Sequence, residues 1–170
     1  MTDEFNQRYL AMCKPFIDAI KEIYATMLET ELETGTPYLK TVNTSQGDYS
    51  AIMGINGHFE NGNEKCNFKG SLVISWPEQT YIMSSCKMLM EDFTEYTDEI
   101  ADVGLEIANM TMGNAKKVLN PKGYFIDMST PTSIRGKGHQ IGSEVTTTTI
   151  ITPLKAPYGN IFVELNYKEA

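Results

Sequence analysis

The chain has 170 residues and a formal net charge of −8, from 14 basic and 22 acidic side chains. That length suits one domain with a sizeable core, and 41% hydrophobic with 21% charged residues excludes a disordered, collagen-like or disulfide-built chain. No basic stripe offsets the acidity, so nucleic acid is not an expected partner. Cys13, Cys66 and Cys86 are widely spaced and form no C-x-x-C. They read as reduced thiols of a cytoplasmic protein, not as a disulfide framework or a zinc site. The amino-terminal residues are acidic and carry no apolar run, so no secretory leader is expected. No stretch approaches the roughly 18 apolar residues of a membrane helix, and no membrane association is expected.

Residues 1–13 are expected to be a short leading helix or an arm. Pro15 suits the first turn of a helix, where its missing N–H is not needed. From it Phe16, Ile17, Ile20, Ile23, Tyr24, Met27 and Leu28 recur with the spacing of one helical face. Gly35 and Pro37 are expected to stop that helix. Strands are predicted over 38–42, 49–55 and 68–76, the last two pairing as a hairpin across a long connection, with a loop at Asn61, Gly62 and Asn63. Ser75, Pro77 and Glu78 fit a capping box for a helix carrying Tyr81, Ile82, Cys86, Leu89 and Met90.

A second helix is predicted over 97–119. Asp98 and Glu99 in its first turn and Lys116 and Lys117 in its last complement the helix dipole, and Asn120 and Pro121 end it. The remainder reads as β: a short strand over 124–128, a loop punctuated by Gly136, Gly138 and Gly142, a β-branched strand over 145–152, and a turn at Pro153, Pro157 and Gly159. A last strand over 161–167 puts Ile161, Val163, Leu165 and Tyr167 on one face. The pattern predicts a single α+β domain over 1–170, with long helices packed on a largely antiparallel sheet.

The helix over 97–119 holds the most informative residues. At about 100° per residue, positions 102, 106, 109 and 113 fall within about 60° of one another. Asp102, Glu106 and Asn109 therefore form one polar stripe that Gly113 continues, while Val103, Ile107, Met110 and Val118 are assigned to a core-facing stripe. Ala101, Gly104, Ala108 and Ala115 keep the helix slim enough for close approach. Asn109 is an unusual choice inside a helix, because its side chain competes with the backbone. A carboxylate one turn from a carboxamide can serve a reaction at a partner's surface, or it can simply face solvent.

The segment with Glu106-x-x-Asn109 and Gly113-Asn114-Ala115 resembles the characteristic helix of the CheC/CheX family of chemotaxis phosphatases. The family pattern is Asp or Ser, three residues, Glu, two residues, Asn and, further on, a proline, here Asp102, Glu106, Asn109 and Pro131. The ordered agreement extends further. Lys14-Pro15-Phe16-Ile17-Asp18-Ala19 is similar to the opening helix of CheX-like domains. Gly70-Ser71-Leu72-Val73-Ile74-Ser75 is similar to the strand before their middle helix, and Ser129-Thr130-Pro131-Thr132-Ser133-Ile134 to their proline loop. CheC proteins carry two such helices and CheX one. The first helix offers Asp18 and Glu22 but Ala25 where an Asn is needed, so the chain resembles CheX.

The resemblance implies a protein aspartyl-phosphate phosphatase acting on a phosphorylated CheY-like response regulator. Asn109 would orient the attacking water and Glu106 would pair with the regulator's lysine. Asp102, Gly113 and Pro131 would shape the docking face. It implies no cofactor of the protein's own, with Mg2+ supplied by the regulator's active site, and a homodimer. A non-enzymatic regulator-binding module remains the alternative, and a structural dimerisation domain a third. Nothing else in the chain reads as a site. His58 and His139 lack companions at metal-ligand spacing, the segment from Gly136 to His139 lacks P-loop spacing, and Ser84 and Ser85 lack a nucleophile elbow.

Overall fold

The computed structural model describes residues 3–42, 44–127, 129–141 and 148–169. Helix α1 spans Asp3–Met27. Strands β1 (Glu33–Thr34), β2 (Tyr38–Leu39), β3 (Tyr49–Gly54), β4 (Gly57–Asn61) and β5 (Glu64–Trp76) lead to α2 (Glu78–Leu89). A short 3-10 turn, Asp98–Ile100, precedes α3 (Val103–Leu119), and β6 (Tyr124–Ile126), β7 (Thr132–Arg135), β8 (Thr149–Ala156) and β9 (Gly159–Glu169) complete the order. The strands form one sheet, β1-β8-β9-β5-β3-β7, with β2 beside β8 and β4 joining β5 to β6. Every described pairing is antiparallel, so the α+β reading is correct.

Pro15 does not begin α1 but lies inside it, and described residues expected as an arm are helical. An interior proline costs about 3 kcal/mol. Burial offsets it: Tyr9 and Met12, on the turns before Pro15, are 4% and 1% exposed, and each fully buried side chain of this size contributes about 1.5–3 kcal/mol. Tyr9 also donates its hydroxyl proton to the Leu165 carbonyl on β9. At its other end α1 stops at Met27, well before Gly35. Glu29 takes a left-handed conformation with φ 50°, and the N–H of Thr30 turns back to Tyr24 C=O at 2.9 Å. Glycine usually fills that place, so a glutamate gives no stop signal in the sequence.

The predicted capping box does not form. Ser75 lies within β5, paired with Ser50 of β3, and its hydroxyl hydrogen-bonds Ser50 Oγ at 2.8 Å. The cap comes from another loop. Because Tyr49 pairs with Trp76, Asp48 before β3 faces the residues after β5, and its carboxylate accepts the Glu78 N–H at 2.8 Å. Pro153 is likewise not in a turn but inside β8, opposite Phe162, with its carbonyl accepting the Gly35 N–H at 2.8 Å. The strand over 145–152 begins among the described residues at Thr149. Met128, Gly142 and residues 145–147 lie outside the described residues. The long connection between β3 and β5 contains a further strand, β4, turned at Gly62 with φ 63°.

The core fills the space between helices and sheet, with Phe16, Ile20, Tyr24, Leu72, Ile74, Trp76, Ile107 and Ile161 fully enclosed. Ile161, Val163, Leu165 and Tyr167 face it together, as their alternation predicts. The three cysteines are free thiols, and burial pushes the Cys13 thiol up to about 12. Among the described residues no helix is long and apolar enough to cross a membrane.

Candidate active site

Helix α3 packs on α1 and lies against β3, β6 and β7. Val103, Ile107, Ala108, Thr111, Met112, Ala115 and Leu119 form its buried side. Of the predicted core stripe, Val103 and Ile107 are buried and Met110 is half-buried, but Val118 is 46% exposed. Helical period does not account for this, since residue 118 lies only about 20° round the axis from the buried Ile107; Val118 is instead in the last turn of α3. Of the small residues, Ala108 and Ala115 are 1% and 0% exposed in a helix that packs on α1, whereas Ala101 precedes α3 and Gly104 faces the rings of Tyr49 and Trp76.

Asp102, Glu106, Asn109 and Gly113 are all exposed, on the side of α3 away from the core. The Glu106 carboxylate and the Asn109 amide have no hydrogen-bond partner among the described residues. Both are therefore free to meet a partner molecule. Gly113 is open, since a Cβ built there meets nothing within 4 Å. Pro131 is half-buried directly before β7, a strand that packs against α3 and pairs with β3 from Thr132 onward. Ser129, just upstream, donates to Gly54 C=O at 3.0 Å.

The helix does not start at residue 97 as predicted. Asp98 and Glu99 sit in the preceding 3-10 turn, while Asp102 immediately precedes the first helical residue. The break has a physical cause. The Tyr81 hydroxyl accepts the Gly104 N–H at 3.0 Å and donates to Ile100 C=O at 2.6 Å. Those two backbone groups would otherwise bond to each other in a continuous helix. Tyr49 donates to Ala101 C=O at 2.6 Å, with its ring stacked on Tyr81 at 4.0 Å. Burial holds the Tyr81 phenol far above its usual range, so it stays neutral and serves as donor and acceptor together.

Trp76 packs edge-on to Tyr81 at 5.4 Å and donates its indole N–H to Tyr24 Oη at 2.8 Å. Arg135 lies 3.6 Å over the Tyr96 ring and 3.3 Å from Glu78. Tyr49, Tyr81, Tyr96, Arg135 and Lys137 line a pocket of about 340 Å3 beside the start of α3. No local sequence pattern connects these supports, because they join residues from α1, α2, β3, β5, β7 and the loops between them.

On α1, Asp18 is exposed and paired with Lys14 at 2.5 Å, and Glu22 and Ala25 face solvent. His139 bonds Ser50 Oγ at 2.7 Å and the Gly136 carbonyl at 2.7 Å. His58 stacks on Phe125 at 5.1 Å. Among the described residues no three His, Cys, Asp or Glu side chains gather to hold a metal.

The family model described as "Chemotaxis phosphatase CheX" matches residues 49–155. No curated protein matches the chain in sequence. Among solved structures, a CheC-like superfamily protein from Shewanella sp. PV-4 is 33% identical, with TM-score 0.79 over 92% of this chain and 97% of that one. The chemotaxis protein CheX from Vibrio vulnificus is 29% identical, with TM-score 0.79 over 93% and 99%. A chain of the CheX–CheY–BeF3–Mg2+ complex from Borrelia burgdorferi is 26% identical, with TM-score 0.75 over 92% and 97%. With the model match spanning more than half of its length and the likeness covering nearly all of it, this chain belongs to the CheX family.

Proposed function

We propose that the protein hydrolyses the aspartyl phosphate of a CheY-like response regulator, with the exposed face of α3 as its active site. The observation that carries the reading is the Glu106–Asn109 pair, one turn apart on a helix fixed by a buried core, with both side chains free. Membership of a family described as chemotaxis phosphatases, and a relative determined together with CheY, support the choice of substrate.

Phosphoryl transfer needs an in-line nucleophile and neutralised charge more than covalent help. In this reading the Asn109 carboxamide holds a water against phosphorus. The water's oxygen forms the new P–O bond as the bond to the regulator's aspartate breaks, leaving inorganic phosphate and a free carboxylate. Glu106 pairs with the regulator's lysine and sets the register, and the divalent metal belongs to the regulator. Asp102, Gly113 and Pro131 shape the contact.

The test follows phosphate loss from a Mg2+-loaded, acetyl-phosphate-charged CheY-like regulator of the same organism. The protein is expected to accelerate the loss, and Glu106→Ala to weaken regulator binding. Binding without acceleration would leave only a docking module.

Gly113 gives a prediction with opposite signs for stability and docking. With open space at its Cβ, Gly113→Ala is expected to stabilise the fold by up to about 1 kcal/mol through helix propensity. If a partner backbone approaches there, the added methyl weakens binding by about tenfold, or about 1.4 kcal/mol. Thermal melts and regulator titrations of the same variant measure both.

A further inference from the structure

The Tyr81 hydroxyl occupies the place of one helical hydrogen bond. Gly104 N–H and Ile100 C=O are four residues apart, the pair that closes a turn of α-helix, and Tyr81 Oη bridges them at 3.0 Å and 2.6 Å. Ala101 C=O is held at 2.6 Å by Tyr49. Asp102 thus stands between a fixed carbonyl and a fixed N–H, and its own carbonyl accepts the Glu106 N–H at 3.0 Å. An oxygen anchored on α2 sets the height and rotation of the turn that presents both carboxylates. Asn109 lies beyond that turn, where its neighbours Ile107, Ala108 and Thr111 are buried and fix it independently.

We propose that Tyr81 is a positioning residue for the phosphatase reaction, acting through Gly104 and Ile100 to aim Glu106 and so to set the register in which α3 meets the regulator. The proposal rests on the reading of α3 given under Proposed function. It separates two roles on one helix: the clamped turn governs docking, and the independently packed turn governs the water.

Tyr81→Phe keeps the ring and deletes the bridge, leaving Gly104 N–H and Ile100 C=O without that partner; it also removes a longer 3.2 Å contact to Ala101 C=O, which Tyr49 still holds. In the free variant, amide exchange at Gly104 and Glu106 is expected to rise about tenfold, with the amides of 111–119 unchanged. KM for the phosphorylated regulator is expected to rise about fivefold, with kcat per folded molecule held within about twofold. Added to Glu106→Ala, Tyr81→Phe is expected to raise KM no further. Tyr49→Phe, which leaves the Gly104–Tyr81–Ile100 bridge standing, gives a smaller effect of the same kind.

A lower melting temperature with unchanged KM would make the hydroxyl a packing group and overturn the proposal. So would a KM effect that adds fully to that of Glu106→Ala, or an exchange increase along the whole of α3 with kcat falling in step. If the wild-type protein fails to dephosphorylate any regulator of its organism, the underlying functional reading falls and the reaction role of Tyr81 with it. The exchange data then still report whether the bridge fixes the turn, which keeps the two failures apart.

Discussion

Asn109→Ala is expected to slow regulator dephosphorylation by about 10²–10³-fold, the loss that follows removal of one preorganised hydrogen-bonding group in other active sites. A hundredfold loss corresponds to about 2.7 kcal/mol of barrier. Stability is expected to hold or to rise. The Asn109 side chain is exposed and makes no hydrogen bond among the described residues, and alanine is the better helix former by roughly 0.7 kcal/mol. A variant that becomes as stable or more stable while losing its activity separates the two explanations of the residue. A solvated helix face predicts no loss of activity, whereas a water-holding amide predicts a loss confined to kcat. The measurement pairs the decay rate of the phosphorylated regulator with a thermal melt and a binding titration. More than a tenth of the wild-type rate would show that something other than Asn109 orients the water.

The candidate stripe was legible because it depends on helical period alone. Residues 102, 106, 109 and 113 share a face in any α-helix, and the structure leaves that face exposed. The α+β class was legible for a similar reason, since the alternation in β9 and the apolar face of α1 are local patterns. The start of α3 was not. It is set by a hydroxyl on Tyr81, a residue of α2, and periodicity carries no trace of an oxygen arriving from another element. The misplaced capping box is a failure of the same kind. Ser75 has the right spacing from Glu78, but the pairing of β3 with β5 commits its hydroxyl to Ser50, and it brings Asp48 to the helix terminus instead. Pro15 misled because a strong local preference was overridden by burial of Tyr9 and Met12. The strand β4 went unseen because Gly57, His58, Glu60 and Asn61 lack a two-sided apolar pattern, and only Phe59 points into the core. Its place comes from pairing with β5 and β6.

Gly104→Ala tests how closely the site depends on its support, and here two effects of known size oppose each other. Helix propensity favours alanine by about 1 kcal/mol. Overpacking opposes it by about 1–3 kcal/mol, and the surroundings decide which wins. A Cβ on Gly104 would lie 2.4 Å from Tyr49 Cε1 and 3.1 Å from Trp76 Cζ3. Neither ring is free to swing away. Tyr49 is 2% exposed, tied to Ala101 through its hydroxyl and stacked on Tyr81. Trp76 is fully buried and tied to Tyr24. The strain must therefore move the first turn of α3, and Gly104→Ala is expected to destabilise the protein by about 1–2 kcal/mol net. Because an error of about 1 Å in a positioned group can cost as much as about 10²-fold in rate, kcat/KM is expected to fall by at least about tenfold. Gly113→Ala on the same helix carries the same propensity gain but meets open space, so its melting temperature should move upward. Chemical denaturation of the two variants side by side, followed by regulator dephosphorylation, measures the contrast. Equal upward shifts would show that the aromatic cluster yields to the methyl, and that the position of α3 is not set by its contact with Tyr49 and Trp76.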